Sequence, residues 1–358
     1  MNQIILSLEE PINVKNAKVE SLSLPLDRPA AMRMYIKQFY IYVVLALVVL
    51  VFSVAKLDQV AMFERGHFLS PDSIINLLRS AVPIITVSGA FTLLMISGYI
   101  DLSVGSAMSL SAVVFAWMIL NGSGFLPALV VTLILGIAMG VLNGFLVMKL
   151  RITPVIATLV TLSLFKGIAL LIVPEGLSAI KGSADKPMPA WINNYARHDV
   201  LFGLPLAFYV AMFVIVALVI VQRKTILGKY AAAIGGNPTA AALSGINAVM
   251  IVWLLYIIVG FFAALAGIAR ASYMSLGDPL SGDGMELACI IAVLLGGTAF
   301  SGGEGSVAKT IVGAIIIICV TVGLMTIIPA YWQTLAMGSV LIIAVALNHL
   351  LVRETVKA

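Results

Sequence analysis

The sequence predicts an all-α protein, a polytopic transmembrane bundle of about ten helices with both termini in the cytoplasm. Three observations predict it. Hydrophobic residues make up 61% of the 358 and charged residues only 10%, against about a quarter charged in soluble domains. Apolar runs long enough to cross about 30 Å of hydrocarbon recur along the chain. Lys and Arg fall between those runs, with a bias to one side. A water-soluble globule has no means of hiding that much apolar surface.

The elements follow in order. Residues 1–35 are mixed and polar, with Glu9, Glu10 and Asp27 beside Lys15, Lys18 and Arg33. They read as a cytoplasmic tail without a cleavable signal segment, and residues 36–352 as the transmembrane domain. Spans are expected at Ile36–Val54, Ala81–Ile96, Ser103–Leu120, Pro127–Leu150 and Ile152–Val173. After a polar stretch come Leu204–Val221, Val249–Ile268, Glu286–Phe300, Lys309–Ile328 and Thr334–Leu351. Lys149, Arg151, Arg223, Lys224, Lys229 and Lys309 flank these runs on the side of the N-terminus, which the positive-inside bias makes cytoplasmic. The connection Pro174–Gly203 is then external and is expected to fold over the outer mouth. The connection at 222–248 is cytoplasmic.

Composition and motifs exclude several function classes. The basic residues form no stripe, so the net charge of +5 does not indicate nucleic acid. Cys289 and Cys319 both sit in apolar runs and read as small core residues. His67, His198 and His349 are far apart, and no catalytic or metal-ligand spacing occurs. The run from Gly303 to Thr310 comes near a phosphate-cradling loop, but Ala308 stands where a glycine must let backbone amides approach. This chain is therefore not expected to be an enzyme or to bind a cofactor.

Candidate functional residues are few. Polar side chains near the midplane, namely Thr86, Ser88, Thr92, Asn143, Thr158 and Thr161, could line a solute path, or bond a neighbouring helix equally well. Lys166 either snorkels to the interface or faces a polar interior. Asp101 and Glu286 are placed to cap helix starts. Gly136, Gly140 and Gly144 make a flat ridge for close helix packing. An echo links the Gly/Ser-rich stretches Ser97–Gly105 and Ser301–Val307 and is read as chance similarity.

The 222–248 connection is more elaborate than a linker requires. Gly235, Gly236, Asn237 and Pro238 are expected to form a turn, with Pro238 opening a short Ala-rich helix over Thr239–Leu243. Gly245 is placed to stop it. The product is a short helix shown to the cytoplasm, able to pack on its own chain or to dock on a partner.

Gly228-Lys229-Tyr230, Gly235-Gly236-Asn237-Pro238 and Ser244-Gly245-Ile246-Asn247 resemble the coupling segment of ribose/xylose/galactose-type ABC importer permeases. Ile100–Ser106, Leu142–Val147 with Ile156–Leu159, and Glu286 through Gly296-Gly297-Thr298 to Ser306 are similar to the same family, in family order. The resemblance covers about residues 70–350. It implies a type II importer-like fold in the bacterial inner membrane, paired with a second permease copy or a paralogue. It also implies a separate ATPase subunit that binds ATP, an extracytoplasmic solute-binding protein and a sugar substrate, with membrane lipid around the whole. Gly228, Tyr230, Gly235, Gly236, Asn237, Pro238, Thr239, Ala240 and Gly245 would form the ATPase-coupling segment. Thr239 stands where the family usually has an acidic residue, Lys309 where a Gly is usual, and Tyr273 where a basic residue is usual. The alternatives are a branched-chain amino acid permease of the same broad group and an ion-coupled secondary transporter. The latter would need intramembrane carboxylates of which the sequence has few.

Overall fold

The computed structural model describes residues 28–54, 68–174, 178–183 and 186–327, and single positions at 332, 335, 338, 339 and 342. Most of the expected N-terminal tail and nearly all of the tenth span lie outside the described residues. The chain divides into two units, Met1–Phe39 and Tyr40–Ala358, and the helix bundle is the second.

Eleven α-helices occur among the described residues: α1 (Arg28–Val54), α2 (Pro71–Ile96), α3 (Val104–Leu120), α4 (Phe125–Met148), α5 (Pro154–Ile172), α6 (Leu206–Lys224), α7 (Ile226–Gly236), α8 (Pro238–Leu243), α9 (Ala248–Met274), α10 (Met285–Leu295) and α11 (Val307–Ile327). Six of the described helices are long and apolar enough to cross a membrane: α2, α4, α5, α6, α9 and Val307–Leu324 of α11. The chain is a multi-pass membrane protein. Its only described sheet is a hairpin of β1 (Asp199–Leu201) and β2 (Leu204–Pro205), turned through Phe202 and Gly203 at positive φ.

Several elements differ from the sequence reading, and α1 starts at Arg28, eight residues before the expected Ile36. α2 starts ten residues before the expected Ala81, because its first turns are polar and carry helix-start signals instead of apolar ones. Ser70 Oγ accepts from the Ser73 amide at 3.3 Å, Pro71 takes the first position and Asp72 the first turn. The eighth span is only half a span, since the 11 residues of α10 rise about 16 Å. In the 222–248 connection α7 continues through Gly236, so the expected turn at 235–238 narrows to Asn237 before α8.

The core follows from which helices are apolar all round. Every residue from Ala81 to Ser97 is buried, as is every residue from Val104 to Val113. α2 and α3 are therefore central. α9 packs against both and against α4. The glycine ridge of α4 makes that last contact possible. A Cβ at Gly136 would stand 2.5 Å from Ala264 Cβ, one at Gly140 2.6 Å from Ile257 Cα, and one at Gly144 2.8 Å from Trp253 Nε1. α4, α5 and α6 are buried on one side only, leaving Leu171 and Phe213 exposed.

The connection expected to be external packs over helix ends. A 3₁₀ turn at Ala190–Asn194 buries Ile192. Ser272 Oγ donates to the Ile192 carbonyl and accepts from the Ala196 amide at 3.1 Å. Phe125 meets the rings of Trp191 and Tyr195 at 6.5 and 6.0 Å. Arg79 of α2 pairs with Asp199 of the hairpin. Cys289 and Cys319 are free and buried.

Candidate coupling surface and passage-lining residues

The connection between α6 and α9 is built from two consecutive helices, α7 and α8. The sequence reading placed a turn at 235–238, whereas helix α7 runs from Ile226 through Gly236. The paired glycines discouraged a helical reading, yet Gly228 and Gly235 are each required by close backbone contact. A Cβ at Gly228 would lie 2.5 Å from Gln222 Cα, so the α6–α7 corner closes only around a hydrogen. Ala231 and Ile234 hold α7 against the body of the chain.

The end of α7 rests on two loops at once. A Cβ at Gly235 would stand 2.5 Å from the Gly303 nitrogen and closer still to the Ile96 carbonyl oxygen. Those two atoms are themselves bonded, the Gly303 amide donating to Ile96 O at 2.8 Å. Gly98 and Gly302, both at positive φ, lie on either side of this junction. The two Gly/Ser-rich stretches that echo each other in sequence thus pack together. Gln222, at the foot of α6, adds a second tie: its Nε2 donates to Gly305 O at 2.8 Å and its Oε1 accepts from the Val307 amide at 2.9 Å. Nothing in the sequence distinguishes Gln222, because a lone Gln at a helix end carries no pattern.

α8 is a single short helix with defined ends. Asn237 Oδ1 accepts from the Ala240 amide at 3.0 Å, and Pro238 takes the first position. At the other end Gly245 has φ +80°, and the Ile246 amide bonds to Ala241 O at 3.1 Å, a glycine-terminated stop. Asn247 then caps α9 through Met250 N at 3.1 Å. Ala241 faces inward, while Thr239, Ala240, Ala242 and Leu243 are exposed, Leu243 by 86%. Tyr230 of α7 is exposed beside them. α8 thus presents a largely apolar outward face.

The seven midplane candidates fall in several places. Thr86 Oγ1 donates to Val82 O at 2.7 Å, and Thr92 Oγ1 to Ser88 O at 2.7 Å, with Thr310 Oγ1 at 2.8 Å. Ser88 Oγ lies 3.6 Å from Cys289 Sγ. Thr158 and Thr161 bond to carbonyls of their own helix, at 2.8 and 3.2 Å. All of these side chains are buried within the chain. Lys166 alone of the set is open to the outside of the chain, and it pairs with Asp283 at 2.7 Å.

Asn143 belongs to a polar knot just inside the α2–α3 turn. Its Nδ2 donates to Asp101 Oδ2 at 3.1 Å and to Ser103 Oγ at 2.8 Å. Asp101 Oδ1 accepts from the Ser103 amide at 2.8 Å and from Ser103 Oγ at 2.6 Å. Asp101 thus binds the N-cap residue of α3, holding the helix start without entering its first turn. Tyr256 of α9 closes the knot by donating to Ile100 O at 3.0 Å. Glu286, also expected as a cap, occupies the first turn of α10 and lies against Gly105 of α3.

Residues 73–345 match the family model described as "Branched-chain amino acid transport system / permease component". The ribose import permease protein of Bacillus subtilis (strain 168) is 33% identical over 287 residues, covering 79% of this chain and 86% of its own. The D-allose transport system permease protein of Escherichia coli (strain K12) is 30% identical over 327 residues, 90% of this chain and 95% of its own. The galactose/methyl galactoside import permease protein of the same strain is 32% identical over 334 residues, 88% and 95%. No solved structure matches. With the family pattern spanning α2 to beyond α11 and three import permeases aligned over most of their length, the chain belongs to this family of transport-system permease components.

Proposed function

We propose that the chain is the membrane-spanning permease subunit of an ATP-driven ABC importer in the bacterial inner membrane, and that its solute is a sugar or sugar-like molecule. The observation that carries the solute class is the set of relatives named for ribose, D-allose and galactose/methyl galactoside import, each aligned over most of its length. The family description names branched-chain amino acids, which keeps that solute class as the second reading.

The partners belong to the same proposal. A separate ATPase subunit binds and hydrolyses ATP and seats on α8 and the exposed part of α7, through Tyr230, Thr239, Ala240 and Leu243. A second permease copy or a paralogue completes the passage, and an extracytoplasmic binding protein delivers the solute. Nucleotide-driven closure then rocks the permease pair as rigid bodies. The outward face of α8 supports this reading, because an apolar helix exposed beside a membrane surface calls for a partner.

The test is uptake into vesicles containing the assembled transporter. Uptake is expected to require ATP and the binding protein, and to be blocked by excess sugar but not by leucine, isoleucine or valine. Uptake that persists without ATP and collapses with the proton or sodium gradient would replace the ABC reading with ion coupling. Competition by the amino acids alone would select the second solute class.

A further inference from the structure

The segment between α9 and α10 runs back along α3 without being a helix. Gly277 packs on Val113 and Ala116 of α3, and Gly282 on Gly105 and Ser109, to whose Oγ the Gly282 amide bonds at 2.8 Å. From Ala116 to Gly105 the segment therefore descends about 16 Å along α3. On α10, Cys289 meets Ser88, about 12 Å from the end of α2 at Ile96 and about 25 Å from its start at Pro71, and Asp283 precedes Cys289 by six residues. Asp283, next to Gly282, lies at hydrocarbon depth. Lys166 lies at comparable depth, about 18 Å from the start of α5 at Pro154 and about 9 Å from its end at Ile172.

Two independent features of this region are incompatible with lipid. Lys166 and Asp283 form an ion pair whose side chains remain 34% and 49% exposed, and charged groups at that depth face a protein interior or a water-filled cavity. The backbone around them is irregular, with Leu280, Asp283 and Gly284 exposed, and irregular backbone at membrane depth is tolerated only where protein covers it or water fills the space beside it. Glu286, in the first turn of α10, adds a half-buried carboxylate to the same edge.

We infer that Lys166, Asp283 and Glu286 form the wall of the water-filled passage, on the face that this chain turns toward a second permease subunit. Lys166 offers ammonium donors and the two carboxylates offer acceptors, a set that hydrogen-bonds the hydroxyls of a neutral polyhydroxylated solute in transit. Such contacts are weak and transient, as conduction requires. This inference rests on the permease reading above, but its test does not depend on which solute is carried.

The experiment labels cysteine variants in the assembled transporter in proteoliposomes, using 2-sulfonatoethyl methanethiosulfonate, a charged reagent that reacts only from water. Asp283→Cys is expected to react at least about tenfold faster than Phe213→Cys, an exposed apolar position on α6 at membrane depth. If Asp283→Cys does not assemble, Leu280→Cys on the same segment serves in its place with the same expectation. Reaction no faster than at Phe213→Cys overturns the inference, whether lipid or a dry subunit contact covers the face. The double variant Lys166→Gln with Asp283→Asn is expected to lower ATP-driven uptake about tenfold while Leu280→Cys in that background still labels. Unchanged uptake removes the solute contact. Rapid labelling together with ATP-independent uptake would leave the passage wall standing and refute the ABC reading instead.

Discussion

Gly235→Ala is the substitution that best probes how α7 is seated. The added methyl would stand 2.5 Å from the Gly303 nitrogen and nearer to Ile96 O, whereas real Cβ contacts below 3.0 Å essentially never occur. Reaching 3.0 Å requires an opening of about 1 Å at the Ile96 oxygen and about 0.5 Å at the Gly303 nitrogen, and both neighbours are backbone, so no rotamer change relieves it. Overpacking of this kind costs about 1–3 kcal/mol. Parting Gly303 N from Ile96 O forfeits a further ~1 kcal/mol. Against this, Ala gains up to about 1 kcal/mol over Gly within a helix. The balance is a loss of about 1–3 kcal/mol. Gly236→Ala is the control, since a Cβ there meets nothing within 4 Å and only the helical gain remains. The assay is thermal unfolding of the purified transporter, paired with the ratio of solute imported to ATP hydrolysed. Gly235→Ala is expected to lower both, and Gly236→Ala to leave both unchanged or slightly raise the midpoint. Equal behaviour of the two variants would refute the seating.

Three further outcomes are expected. Ala240→Glu places a bulky charge on the outward face of α8 and is expected to uncouple ATP hydrolysis from uptake while membrane insertion is kept; coupled uptake in that variant would remove the docking assignment. Asp101→Ala leaves the Ser103 amide and Ser103 Oγ without their acceptor and removes one of the two acceptors of Asn143 Nδ2, at a cost of about 2–4 kcal/mol read as a lowered unfolding midpoint, with Asp101→Asn milder because its carbonyl oxygen still accepts. Asn237→Ala removes the cap of α8 and is expected to cost about 1 kcal/mol, visible as faster amide exchange at Ala240 with no change elsewhere in the bundle.

Much of the fold was legible because lipid imposes long apolar helices. The glycine spacing in α4 announced its close partner, although α9 could not be named from it. Polar first turns hid the beginning of α2, and the paired glycines of α7 read as a turn because the packing partners of Gly235, Ile96 and Gly303, are distant in sequence. The same limit applies to the sites. Lys166 stood out as an intramembrane charge, but Asp283 is 117 positions away, and no local pattern joins them. Asp101 and Asn143 were each visible alone. Their bond, across 42 positions, exists only because the α2–α3 turn meets α4.

The junction under α7 has a mechanical consequence. The α2–α3 turn and the α10–α11 loop meet the same helix end through main-chain atoms, with no flexible side chain between to absorb a displacement. A load applied to α8 therefore reaches both loops together and with little slack. The helix end behaves as a stiff fulcrum, and the stroke of an attached motor would be divided between two hairpins of the bundle instead of being spent on one.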